Sequence, residues 1–310
     1  MKKVHVKVPA TSANLGPGFD VLGVALPLYN EVSMQINGGA WTASRRALSL
    51  SIDIEGEGFD SLPRDESNLI VRAAFRVFEV ARRWPGTLRI KAVNRIPLAR
   101  GLGSSASATL AGMVAANRLC GRPLSDQAIL NLATAMEGHP DNLAPAMAGG
   151  FCIAGVMGQE THYLKFAAPG NLRAVLCIPQ KPILTSDARR VLPSRVPLSA
   201  AVFTSSHVAF LLGALWQKKY QWLSFAMEDV LHQPARASLL PGLREVIVEA
   251  KKVGAYGAAL SGAGSTVIAF AQPGAVARRV GQSMQRRFAA RGIPSRWLDL
   301  RLDNQGIRST

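Results

Sequence analysis

Little in this chain is acidic, aromatic or sulfur-bearing, and each scarcity closes off a class of protein. Only three cysteines occur among 310 residues, Cys120, Cys152 and Cys177. They stand far apart among apolar neighbours, in neither a metal-ligand spacing nor an even-numbered disulfide framework. Buried, reduced thiols in a cytoplasmic protein are the expectation. Aromatic residues make up 6% of the chain, and they do not interleave with the basic ones as in single-strand nucleic-acid binders. The longest apolar run, 208–216, falls far short of the roughly 20 residues that span a bilayer. Lys2-Lys3 leads into alternating residues rather than an apolar secretion segment, so no membrane association is expected. Repeats and low-complexity segments are also lacking.

Acidic side chains number 20 against 36 Lys and Arg, a formal net charge of +16. Such a balance favours anionic partners: nucleotides, acidic metabolites or nucleic acid. The pairs Arg278-Arg279 and Arg286-Arg287 alternate at helical spacing with Val276, Val280, Met284 and Phe288. That pattern predicts the solvated face of an amphipathic helix rather than a nucleic-acid surface. With 48% apolar and 18% charged residues, the composition suits a well-packed enzyme, and the length allows two domains.

Against these absences stands one glycine- and serine-rich stretch, Gly101-Leu102-Gly103-Ser104-Ser105. The alternation of Leu88, Ile90 and Ala92 brings a strand into it, and an Ala-rich run without a breaker until Gly112 leaves it. Glycine permits a positive φ and close approach of a ligand. Ser104 or Ser105 is placed to cap the following helix. Free N–H groups and a helix dipole there make either a phosphate cradle or an ordinary strand-to-helix turn. A P-loop is excluded because no Lys follows Gly103, and Ala106 occupies the third-glycine position of a dinucleotide fingerprint.

Two further stretches carry chemistry. Glu137-Gly138-His139-Pro140-Asp141-Asn142 gathers two carboxylates, an imidazole and an amide at a helix end. The dipole disfavours a carboxylate there, so Glu137 is expected to have a partner such as magnesium, or else to be a solvated terminus. Between Pro9 and Asp20, a loop dense in breakers places Asn14 and Asp20 beside Gly16 and Gly18, suiting substrate contact or a plain series of turns.

Elsewhere the periodicities predict strands at 4–8, 48–54, 87–93, 151–156, 172–178, 256–260, 267–271 and 295–301. Helices are predicted from Ser67, from Ser125 with Ile129, Leu130, Ala133 and Met136 on one face, as a short capped piece at 185–193, over much of 198–252, and at 274–290. The sum is an α+β sandwich.

Pro9–Asp20, Pro97–Ser107 and Ala259–Thr266 together resemble, in order and spacing, the three motifs of the kinase superfamily containing galactokinase, homoserine kinase, mevalonate kinase and phosphomevalonate kinase. Within it, the first stretch looks like the homoserine kinases, as do Glu137–Asn142, Ala188-Arg189 before Leu192-Pro193, and Arg236 before Leu240-Pro241. The resemblance runs from residue 3 to about 300. One departure stands out: Ala263 and Ser265 replace Ser and Pro of the usual Ser-Gly-Ser-Gly-Pro-Thr, while both glycines survive.

The resemblance implies an α+β two-domain fold. Residues 1–160 would form a ribosomal-protein-S5-domain-2-like α/β domain holding the nucleotide, and 161–310 a ferredoxin-like α+β sandwich completing the substrate site. It implies ATP-dependent phosphorylation of the side-chain hydroxyl of L-homoserine, on the route to threonine, by a cytoplasmic homodimer with no nucleic-acid or membrane partner. ATP would meet Asn68 at adenine and Pro97, Leu98, Ala99, Arg100, Gly101, Leu102, Gly103, Ser104, Ser105, Ala106 and Ser107 at the phosphates. Mg2+ would lie on Ser105 and Glu137. Arg189 and Arg236 would grip the substrate carboxylate, with Asn14, Asp20, His139, Asp141 and Gly262 around its ammonium and hydroxyl. Asp20, Asn142 and Glu137 form the implied catalytic set, with Asp20 orienting substrate and Asn142 ordering the site in place of a dedicated base. By their own chemistry Asn68 reads as a helix cap and each arginine as a surface residue. A sibling kinase for another small alcohol such as mevalonate, and a nucleic-acid-binding protein of related fold, are the alternatives.

Overall fold

A computed structural model describes residues 2–37, 41–42 and 48–310. A first, seven-stranded sheet contains β1 (Lys2–Asn14), β2 (Gly18–Ile36), β3 (Ser49–Gly56), β4 (Thr87–Asn94), β5 (Phe151–Met157), β6 (Glu160–Phe166) and β11 (Arg308–Ser309). Its main path runs β11-β1-β2-β4-β3, with β5 on β2 and β6 on β5. Among the described strands only the β3–β4 pairing is parallel.

β1 corrects the sequence reading, for Pro9–Asn14 is strand rather than loop. Pro9 tolerates this because it lies at a bulge, where the register slips between Pro9 and Ala10 and a missing N–H costs no ladder bond. Ala10 to Ala13 then pair with Leu26 to Gly23, and only 15–17 form a turn.

Over this sheet lie α1 (Leu69–Ala81), α2 (Ser104–Leu119), α3 (Asp126–Glu137) and α4 (Leu143–Ala148). α3 begins as expected, with Ser125 Oγ accepting from Ala128 N. α1 is capped not by Ser67 but by the next residue, Asn68, whose side chain accepts from Ile70 N. Gly112 does not end α2. It lies where α2 crosses α1, and a Cβ there would stand 2.3 Å from Ile70 O and 3.0 Å from Ala73 Cβ. Gly112→Ala is therefore expected to destabilise the fold by about 1–3 kcal/mol in urea unfolding. The gain of about 0.5–1 kcal/mol usual for Gly→Ala inside a helix would contradict this packing.

The second sheet joins β7 (Arg173–Pro179), β8 (Gly257–Leu260), β9 (Val267–Ala271) and β10 (Ser295–Leu300), all antiparallel in the order β10-β7-β9-β8. Counted in chain order that is 4-1-3-2, with helices between the first and second strands and the third and fourth, a β-α-β-β-α-β pattern. Between β7 and β8 come α5 (Thr185–Arg190), α6 (Leu198–Trp216), a 3-10 turn at Tyr220–Trp222, α7 (Leu223–Ala226), α8 (Gln233–Arg236) and α9 (Leu243–Lys252). α5 has no side-chain cap, contrary to expectation. α10 (Ala275–Ala289) buries Val280, Met284 and Phe288 and exposes its four paired arginines, as its spacing predicts. β11, too short for a periodicity signal, carries the chain's end back onto β1. The two sheets share an apolar core, in which the Phe151 and Phe270 rings lie 5.8 Å apart. Burial pushes the Cys120 thiol up to about 11 and those of Cys152 and Cys177 to about 12, all three unpaired.

α6 is longer than the apolar run at 208–216 suggests. Thr204, Ser205, Ser206 and His207 precede the run without ending the helix, because Ser206 Oγ and His207 Nδ1 both bond back to Phe203 O. Among the described helices it alone has the length and composition of a membrane span, with 22% of that window buried. His207, Leu211, Ala214 and Leu215 face inward, while Leu198, Val202, Phe210 and Trp216 are exposed.

Candidate active site

The glycine loop opens α2 without using its serines as caps. The N-cap is Gly103, at φ 70°, with no side-chain cap bond, so neither Ser104 nor Ser105 caps the helix. Both belong to its first turn. The first intrahelical bond runs from Ser107 N to Gly103 O, so the N–H groups of Ser104, Ser105 and Ala106 have no helical acceptor. These residues line a cavity of about 350 Å³, into which the positive end of the α2 dipole points. An anion is the ligand such an opening suits.

Glu137, on the last turn of α3, has the partner its position demands. Ser105 Oγ lies 2.6 and 2.8 Å from its two carboxylate oxygens, and Thr109 Oγ1, one turn along α2, donates to Oε1 at 2.8 Å. Thr109 escaped the sequence reading; its i+4 spacing from Ser105 was the available signal. A hydroxyl and a carboxylate converging beside an anion site form a hard oxygen donor set, and that fits Mg2+.

The three motif stretches are stitched together around the loop. Ser261 Oγ donates to Gly101 O at 2.7 Å and lies 2.8 Å from Ser12 Oγ. Thr11 N donates to Leu102 O, and Thr266 N to Arg100 O. A Cβ on Gly101 would stand 2.0 Å from Ser261 O, and one on Gly103 2.0 Å from Thr11 Oγ1. The loop therefore requires glycine at both positions twice over, for φ and for space.

Across the cavity stand the residues suited to a zwitterion. Asn14 and Asp20 take φ values of 70° and 59°, a left-handed backbone that Asn and Asp tolerate best. Asn14 Nδ2 donates to Gly262 O at 3.0 Å, and Asn14 Oδ1 accepts from Asp20 N at 3.0 Å. Arg189 grips Asp20 through two bonds, at 2.9 and 3.1 Å. Arg236 is buried, not a surface residue: Nε donates to Ala188 O at 3.1 Å and Nη1 to Gly262 O at 2.9 Å. Burial, with the nearby Arg189 cation, lowers its pKa to about 10.

His139 Nδ1 and Asn142 Nδ2 both bond Asp141 Oδ1, at 2.7 and 3.1 Å, and Thr11 Oγ1 donates to Asn142 Oδ1 at 2.7 Å. Ligand atoms of Asp20, His139 and Asp141 lie within 4.8 Å of one another. The Asp141 hydrogen bond raises the pKa of His139 against the lowering effect of burial. Asp141→Asn is expected to bring that pKa down, read by NMR titration of the imidazole; an unchanged titration would remove Asp141 from the role.

Other residues of the motif have further partners, and Arg100, Ala99 and Pro97 line the main cavity as well. Ser107 is fully buried inside α2 with no partner for its hydroxyl. Arg100 directs its donors to the carbonyls of Leu98, Ala99, Pro179 and Gln180, tying the loop to the end of β7. Asn68 and Leu98 line a neighbouring, mostly apolar cavity of about 260 Å³ with Ile70, Asn94 and Ala108, which also reaches Ala99, Ser104 and Ser105. Asn68 caps α1 through Oδ1, and its Nδ2 donates to Pro63 O at 2.8 Å. Arg72 of α1 lines the main cavity; nothing marks it out among 36 basic residues. Pro97 and Gly262 line it too.

Comparison with known proteins agrees with this geometry. The family description "GHMP kinases N terminal domain" matches residues 68–150, and "GHMP kinases C terminal" matches 211–290. A homoserine kinase of Carboxydothermus hydrogenoformans is 44% identical over 98% of this chain and 95% of its own length. One of Caldanaerobacter subterraneus is 42% identical with the same coverage. The crystal structure of homoserine kinase from Cytophaga hutchinsonii superposes with a TM-score of 0.88 at 31% identity, covering 100% of this chain and 98% of that one. Two matched domains that meet at the glycine loop, and relatives alike along nearly the whole length, place this chain in the GHMP kinase family.

Proposed function

We propose that the protein transfers the γ-phosphoryl group of ATP to the side-chain hydroxyl of L-homoserine, giving O-phospho-L-homoserine for threonine biosynthesis. One observation carries this: Arg236, Arg189 and Asp20 face the amide-rich start of α2 within a single cavity. That pairing suits an α-amino acid on one side and a polyphosphate on the other.

The chain's own groups do the following. Amides of Ser104 to Ala106 bind phosphate oxygens. Ser105 and Glu137 hold Mg2+, which when bound neutralises charge on the phosphates. Homoserine enters as a zwitterion and splits the Arg189–Asp20 pair, Arg189 turning to its carboxylate and Asp20 to its ammonium. The exchange replaces one ion pair within the protein by two with the substrate. Arg236 Nη2 adds to the carboxylate clamp.

No dedicated base is assigned. Asp20 faces a guanidinium, and the Asp141 hydrogen bond at Nδ1 orients the His139 ring on the cavity wall. The hydroxyl proton passes to the phosphoryl group late in a loose transition state, with Asn142 and Thr11 bracing Asp141. Asp20→Asn should raise KM for homoserine while kcat stays within about tenfold; a kcat loss of about 10³ at unchanged KM would make Asp20 the base.

Mevalonate offers a carboxylate but no ammonium for Asp20, so it fits less well. Three buried, unpaired thiols support a cytoplasmic setting, and the exposed apolar face of α6 supports a homodimer. Coupled ADP release with L-homoserine, mevalonate and L-threonine tests the function. Turnover is expected with homoserine, and none with it would overturn the proposal.

A further inference from the structure

We infer that His232 is a positioning residue for the substrate: a buried neutral imidazole that holds Arg236 with one amino group left over for the substrate carboxylate, and ties it to the turn at Gly16. The inference deepens the homoserine reading above and rests on it for its kinetic readout.

The hydrogen-bond partners determine the tautomer. His232 is wholly buried, with its ring stacked on Phe19 at 5.2 Å. Nε2 lies 2.8 Å from Gly16 O, and a carbonyl only accepts, so Nε2 carries the proton. Nδ1 lies 3.1 Å from Arg236 Nη1, and a guanidinium only donates, so Nδ1 presents its lone pair. The ring therefore passes orientation from the first motif, through Gly16, to Arg236.

Arg236 has five N–H groups. Nε takes Ala188 O, and Nη1 takes His232 Nδ1 and Gly262 O. Both N–H groups of Nη2 remain, on a side chain that lines the cavity. Without an acceptor at Nδ1, one of the three bonds that hold the guanidinium is lost, a buried N–H is left unpaired, and the aim of Nη2 loosens.

The backbone under His232 is fixed as well. Asp229 accepts the N–H groups of Leu231, His232 and Gln233, at 2.9, 3.0 and 2.7 Å. His232 then caps α8, which ends on Arg236, so the two side chains stand one turn apart on one face. The charged groups facing the ring are Asp229, with Oδ2 3.5 Å from Nε2, then Arg236, and Asp20 at longer range. Burial, with the Arg236 cation, lowers the pKa of His232 against the pull of these acids. A second proton would set donor against donor at Arg236.

Two near-isosteres separate the bonds. His232→Asn places an amide oxygen near the position of Nδ1, keeping the acceptor for Arg236 and giving up Gly16. His232→Gln reaches Gly16 and gives up the acceptor. With homoserine and ATP varied separately, His232→Gln should raise KM for homoserine about tenfold or more while KM for ATP moves less than about twofold. His232→Asn should stay near wild type. Equal homoserine KM values in both variants, or both substrates' KM rising together with a fall in Tm, would overturn the role. Two-dimensional 1H–15N NMR of the wild-type imidazole reports independently of any substrate. A proton on Nε2 alone at neutral pH is expected, and a proton on Nδ1 would overturn the inference even if homoserine proved not to be the substrate.

Discussion

Glu137→Gln is expected to lower kcat by about 10³-fold while leaving the fold intact. The side chain ends α3, where the helix dipole opposes a negative charge, yet Ser105 and Thr109 both turn hydroxyls toward it. A carboxylate held against the dipole is an arrangement made for a cation rather than for stability. Gln keeps the shape and could still accept from Thr109. It removes the charge and gives Ser105 an amide to face. Stability should therefore stay level or rise, by up to about 1 kcal/mol, the usual size of a relieved dipole conflict. Steady-state kinetics beside a thermal melt would check both halves. A loss under about tenfold, or a large fall in Tm, would make Glu137 structural.

The second large effect is expected from Arg236→Met, a lowering of kcat/KM for homoserine by about 10²–10³. Removing one partner from a buried charged network costs about 3–5 kcal/mol, and here Ala188 O and His232 Nδ1 lose their side-chain donor and Gly262 O loses one of two. Methionine fills much of the volume, so the cost falls on polar satisfaction rather than on a cavity. Because Gly262 O also receives Asn14 Nδ2, some of the loss will spread to the first motif. KM for ATP should change little, since the α2 amides lie across the cavity. Equal losses for both substrates would show that Arg236 supports the fold instead of the substrate.

How much of this was legible in the sequence depended on the range of the interaction. Local signals were read well: the Ser125 cap, the apolar stripe of α10, the alternation of β4 and the glycine requirement of the 101–103 loop. Motif resemblance placed Glu137, Asp20, Arg189 and the two glycine loops in one family pattern, and the cavity does bring them together. What failed depends on partners distant in the chain. Pro9–Asn14 resembles a loop until β2 supplies a bulged ladder for it. Ser104 and Ser105 resemble caps until Gly103 takes that place and Glu137 claims the hydroxyl of Ser105. Arg236 resembles a surface cation, since no local pattern reveals that 188, 232 and 262 enclose it. Arg100 lines the cavity, yet most of its donors go to the carbonyls of 98, 99, 179 and 180, which no local pattern reveals. β11 is two residues long and exists through its pairing with Val6 and Lys7.

Phosphorus NMR of the reaction with L-homoserine and ATP tests the central claim most directly. The account predicts a new phosphomonoester resonance, coupled to the two protons of the adjacent methylene, that grows as ADP appears. Inorganic phosphate accumulating alone, or a resonance without methylene coupling, would contradict phosphoryl transfer to that hydroxyl.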